Sequence, residues 1–169
     1  RIGAHWHCSR DGGARRADTT DLRWARLDSE FVATNAVSVG STGHKPDITS
    51  TGQGYALAWA VASGVGFARY TTDGESVCLK ELTDLGFVST PDQYRVAIAD
   101  TQLGALVLAT SEEGKVELVR FGDDCEPSAL VPVAEMPVPT SPAIAAGGGS
   151  VALAWVSRMN DAGYTRVMS

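Results

Sequence analysis

One apolar phrase returns along the chain, and that recurrence constrains the fold more than any other feature. Residues 56–61 read ALAWAV, 105–110 read ALVLAT and 152–157 read ALAWVS. Each follows a turn: TGQG at 51–54, TQLG at 101–104, GGGS at 147–150. Ahead of each turn a short strand-like segment opens on a proline: Pro46, Pro91 or Pro142. Behind each phrase comes an arginine in a constant setting: FARYTTDG with Arg69, LVRFGDD with Arg120, YTRVMS with Arg166. An earlier copy, RWARLDSE with Arg26, follows the run IGAHWHC, which aligns Trp6 with Trp59, Leu108 and Trp155.

The four arginines stand 43, 51 and 46 residues apart. Self-similarity at about 40–50 residues belongs to propeller blades or to helical arrays. Local composition separates the two. The runs are short and rich in Ala, Val, Leu and aromatics, and Gly, Pro or Asp-Gly breaks them every few residues. No amphipathic helical face survives that punctuation, whereas four short strands per unit fit it. Strand A follows the proline, strand B is the repeated phrase, strand C ends at the arginine, and strand D is the next run. Strand B is apolar on both faces, as a strand must be when sheets stack on either side of it. The expected fold is therefore all-β: a β-propeller-like array of four-stranded antiparallel blades, about three and a half in number and roughly fourteen strands in all. One propeller spans 1–169, divided into a part-blade at 1–45, blades at 46–90 and 91–141, and a part-blade at 142–169. Closure takes about 4–8 blades, so the remaining blades of a longer chain are the expected partners of this segment.

The pattern P-x-I-x-x-x-G-x-G-[YV]-A-L-A-W, then A-R-Y-x-x-D-G, resembles repeats of secreted bacterial proteins of myxobacterial type, akin to sialidase and FG-GAP/VCBS-like propellers. The likeness is clearest at 46–80 and 142–166, and the 91–131 copy departs from it with Leu108 in the tryptophan position. It implies export to the periplasm, the cell surface or the medium. It implies almost nothing about chemistry, because propellers host many unrelated functions.

The net charge of −6 argues against a nucleic-acid partner, which calls for clustered Lys and Arg. No apolar run approaches the roughly 20 residues needed to cross a bilayer as a helix, so membrane insertion is not expected. Cys8, Cys78 and Cys125 match no C-x-x-C spacing. Free thiols are the favoured reading of the three, with one bridge plus one thiol as the alternative.

Each chemical constellation has a plainer structural reading. His5 and His7 beside Cys8, with His44, have metal-ligand spacing, yet they align with alanines of strand B and read better as packed histidines. SRDGGARR at 9–16 and TTDGESVC at 71–78 approach the sialidase Asp-box but lack its aromatic. Both read as tight turns in which Asp bonds its own main chain and Gly takes positive φ. Arg26, Arg69, Arg120 and Arg166 suggest a carboxylate-binding triad, but equivalence in every copy assigns them to the repeat itself, in salt bridges or stacking along strand C. Glu112-Glu113 and Asp123-Asp124 are adjacent in hairpin turns, unlike the spaced pair of a glycosidase. No G-x-S-x-G, H-E-x-x-H or P-loop occurs, so neither catalytic residues nor a cofactor are assigned.

One loop stands out by length: 9–21, where the next copy has only ASGVG. It carries Arg10, Asp11, Arg15, Arg16, Asp18 and Asp21, and Asn160 and Asp161 belong to the corresponding loop of the last copy. Mixed charge on a raised loop suits a glycan or a protein partner. The expected function is a non-catalytic binding or scaffold module. The alternative is a fragment of a sialidase-like or other glycan-processing propeller enzyme whose catalytic residues lie outside this segment.

Overall fold

The computed structural model describes residues 22–27, 29–39, 44–61, 64–83, 95–110, 115–135, 139–159 and 162–168. Among them there are strands and no helix, as the punctuation by Gly and Pro requires. β1 (Arg23–Leu27) and β2 (Ala33–Ser38) form a first sheet. β3 (His44–Thr51), β4 (Gly54–Val61), β5 (Gly64–Thr71) and β6 (Ser76–Leu82) form a second. β7 (Arg95–Thr101), β8 (Gly104–Thr110), β9 (Lys115–Phe121) and β10 (Val131–Glu135) form a third. β11 (Pro139–Gly147), β12 (Ser150–Met159) and β13 (Ala162–Met168) form a fourth. Every pairing is antiparallel and joins strands consecutive in sequence. The expected fourteenth strand, at 2–8, lies outside the described residues.

The repeated phrase forms β4, β8 and β12, the second strand of its sheet. β4 is buried along nearly its whole length because its two faces serve two interfaces. Ala56, Ala58 and Ala60 turn toward the third sheet, where they join Val107, Ala109, Ile98 and Phe121 in one core cluster. Leu57, Trp59 and Val61 turn the other way and pack with Trp24, Leu22 and Val39 of the first sheet. The alanines admit the neighbouring sheet closely, and the tryptophan fills the opposite gap. Leu108, Val116 and Trp155 form the matching cluster between the third and fourth sheets.

Leu108, aligned in sequence with Trp59, does not take its place in the structure. Trp59 stands across from Gly66, and a Cβ there would overlap the indole ring. Leu108 stands across from Leu118. Trp59 faces the first sheet and Leu108 the fourth, so the two lie on opposite faces of their strands, because Trp59 stands five residues after its turn glycine and Leu108 only four.

Two first strands begin ahead of their prolines. β3 starts at His44 and β11 at Pro139, and the register shifts around Pro46 and Pro142. Lys45 and Ser141, each just before one of these prolines, have φ of 50° and 52°. Proline has no N–H to give the ladder, and a bulge accommodates the gap.

Sheet-to-sheet contact is concentrated in the first and second strands. β7 lies against β3 on one side and β11 on the other, with β4 and β8 close behind.

Candidate functional site

Successive sheets are joined by a clasp built from third strands and the turns that follow them. Arg26 of β1 donates to the carbonyl of Thr72 at 2.8 Å, and its guanidinium lies 3.9 Å from Asp73. Arg69 of β5 holds the corresponding turn one sheet further on, donating to the Asp123 carboxylate itself. Each arginine is flanked by a ring contact of constant spacing. Trp24, two residues before Arg26, packs on Tyr70 with centroids 4.7 Å apart. Phe67, two residues before Arg69, stacks on Phe121 at 4.0 Å and nearly parallel. Tyr70 and Phe121 each directly follow the arginine of their own strand. The rule is position −2 on position +1 of the next copy, with the arginine between them and an acid beyond.

Burial sets what these groups can do. The Arg69 side chain is only 7% exposed, so its charge needs a partner, and Asp123 at 76% supplies one from the rim. Arg26 and Asp73 are more open, at 46% and 87%, and their pairing is correspondingly weaker. These two arginines are thus committed to the repeat, consistent with their recurrence.

The turns differ from the sequence expectation in one respect. Gly74 does take positive φ, 93°. The local cap, however, is the Thr71 hydroxyl, which accepts from the Glu75 N–H at 3.1 Å, while Asp73 faces the first sheet. In the next turn the two roles fall to adjacent residues. Asp124 accepts from the Glu126 N–H at 3.0 Å, and Asp123 holds Arg69.

The second and third sheets carry three further links. Asp47 on β3 accepts from the Ile98 N–H of β7 at 3.0 Å. Lys80 reaches Glu126 at 2.9 Å. Cys78 on β6 is disulfide-bonded to Cys125, with Cα atoms 6.0 Å apart, which corrects the expectation of free thiols at these two positions. The spacing of cysteines misled because the bridge joins different sheets, the same two that the Arg69–Asp123 pair and the stacked phenylalanines join. Cys8 lies outside the described residues.

The β3–β4, β7–β8 and β11–β12 turns frame a depression of about 920 Å³ at one end of the sheets. Gln53, Gln102, Leu103 and Gly148-Gly149 contribute from the turns, and Arg69, Asp123 and Arg120 from the third strands and their exits. Leu103 is 74% exposed at the rim. The turn sequences TGQG, TQLG and GGGS signalled the turns. That these turns converge on one opening depends on how the sheets are set against each other, and the sequence did not reveal it.

The loop residues Arg10, Asp11, Arg15, Arg16, Asp18, Asp21, Asn160 and Asp161 all lie outside the described residues, as do His5, His7 and Glu112-Glu113. Antiparallel order puts the β12–β13 connection at the opposite end of the strands from the depression. Among the described residues, no group of three or more His, Cys, Asp or Glu is placed to hold a metal ion. No helix among them is long and apolar enough to cross a membrane. Burial raises the Glu117 carboxyl above the ordinary range, partly offset by Lys115, and burial likewise raises the Tyr70 phenol. Glu117 projects from β9 opposite Pro132 and Ala109, away from the arginines and the depression. No protein-family model, curated protein or solved structure matches this chain.

Proposed function

We propose that this chain is part of an exported β-propeller that binds a glycan or protein partner without catalysing a reaction. The observation that carries the reading is the clasp: a ring contact between the same two positions, and an arginine on the acidic turn of the next sheet, recur at two successive interfaces, tilted at one and parallel at the other. A repeated interface adds sheets at a repeated angle, which is how a propeller is assembled. Crowding of β3, β7 and β11 supports sheets that converge on their first strands. The Cys78–Cys125 bridge supports export, because disulfides form and persist in oxidising compartments. Further repeats of the same kind, in a longer chain, complete the ring.

The partner sits on the loop end, on Arg10, Asp11, Arg15, Arg16, Asp18 and Asp21 with Asn160 and Asp161. Hydrogen-bonding groups of both charge signs suit a polar partner. A glycan array with the full-length protein identifies the class. Replacing 9–21 by ASGVG then lowers affinity at least tenfold, about 1.4 kcal/mol, with folding nearly unchanged. Unchanged affinity after the swap places the site elsewhere.

A further inference from the structure

Arg120 is the third copy of the clasp arginine and the one that faces the depression. It stands across from Leu106 as Arg69 stands across from Ala56, so both occupy the same register of their sheets. Arg26 and Arg69 each hold an acidic turn of the following sheet. Among the described residues the Arg120 guanidinium makes no hydrogen bond or ion pair. Its side chain is exposed, and the β11–β12 turn, Gly147 to Ser150, lines the space beside it.

We propose that Arg120 receives the carboxylate of an acidic tight turn, namely the turn of the repeat that leaves β13. The proposal rests on the reading of a longer repeat array, and three features of the structure carry it. Arg69 already bonds such a carboxylate, and Arg26 holds the equivalent turn through the Thr72 carbonyl with Asp73 3.9 Å away. The register brings Met168 at the end of β13 across from Leu153, so the departing chain emerges beside the Gly147–Val151 wall of the depression. Charge is complementary, since an unsatisfied guanidinium favours a carboxylate over a neutral turn. Held on the same chain, such a turn acts at high effective concentration, which a weak exposed ion pair needs in order to form.

The test extends the 169-residue chain after Ser169 by YTTDGESVALKEL, the 70–82 segment with its cysteine replaced by alanine. Met168 stands across from Leu153 as Ala68 stands across from Leu57, so this places an aspartate five residues after Met168, as Asp73 follows Ala68. Urea unfolding is measured for the extended chain, for asparagine in place of the appended aspartate, for Arg120→Gln, and for both changes together. We expect each single change to lower the folded-to-unfolded ratio about fivefold, and the double change to lower it no further. Arg120→Gln in the unextended chain is the control and changes the ratio less than twofold. Additive losses, or a stabilisation indifferent to Arg120→Gln, overturn the proposal, because the extension then acts only as a fourth strand. The cycle probes the clasp alone. A full-length protein that fails to form a ring would defeat the propeller reading without altering this result.

Discussion

Reducing the Cys78–Cys125 bridge is the perturbation whose size follows most directly from the structure. The bridge joins residues 47 apart in sequence. In the chain-entropy relation, closing a loop of that length removes about 14 cal/mol/K from the unfolded ensemble, or about 4 kcal/mol at 25 °C. For a chain of this size, 1 kcal/mol moves the melting midpoint by about 2–4 °C, so the full effect amounts to roughly 8–16 °C. The native contacts around the bridge should survive reduction, since Phe67 and Phe121 remain stacked and Lys80 still reaches Glu126. The loss therefore appears mainly as stability rather than as a changed fold. Thermal and urea melts of oxidised protein, of protein in dithiothreitol, and of the Cys78→Ala/Cys125→Ala variant measure it. The reduced protein and the variant should coincide, both well below the oxidised form, and the variant should ignore reductant. Alkylation of the denatured, unreduced chain should modify one thiol, Cys8, out of three cysteines. Three modified thiols, or superimposed oxidised and reduced melts, would refute the reasoning.

Three smaller perturbations probe the packing. Gly66→Ala forces a methyl into the Trp59 ring and should cost about 1–3 kcal/mol in urea unfolding, and Trp59→Leu in the same chain should restore part of that loss. Asp47→Ala leaves the Ile98 N–H without its acceptor and should cost about 1 kcal/mol, with faster amide exchange at Ile98. Glu117 has a folded pKa raised by burial, so its contribution is fully present below the ordinary glutamate range and is lost as pH rises through the folded value. Glu117→Gln should accordingly raise the melting midpoint at neutral pH and have no such effect in acid. Equal shifts at both pH values would show that burial is not what perturbs this carboxyl.

Much of the sheet plan was legible because alternation, turn chemistry and the repeat reinforced one another. The phrase at 104–110 became β8, and SVCLKEL became β6, because Gly at one end and a tight turn at the other leave little freedom in register. Arg26 and Arg69 were correctly assigned to the repeat, whereas Arg166 stands across from Trp155, the register that Gly66 and not Arg69 holds in the second sheet. What the sequence hid were relations between copies. Cys78 and Cys125 lie in different units, and nothing in their spacing says that the turn after β9 meets β6. The ring rule, −2 on +1, was present in FARY and LVRF but became meaningful only with a partner sheet in place. Asp73 was misassigned because Asp and Thr both cap turns, and the choice between them was decided by Arg26 from outside the turn. The opening framed by three glycine-bearing turns was invisible for the same reason, since each turn alone is only a turn.

The proposed propeller requires successive sheets to fan from their first strands. Electron paramagnetic resonance distances between matched spin labels test it most directly, in a Cys8→Ser background that keeps the bridge. One labelled pair joins Ser50 on β3 with Asp100 on β7, the other Val77 on β6 with Val131 on β10. A fan predicts an outer separation clearly larger than the inner one, and equal separations near the roughly 10 Å of flatly stacked sheets would contradict it.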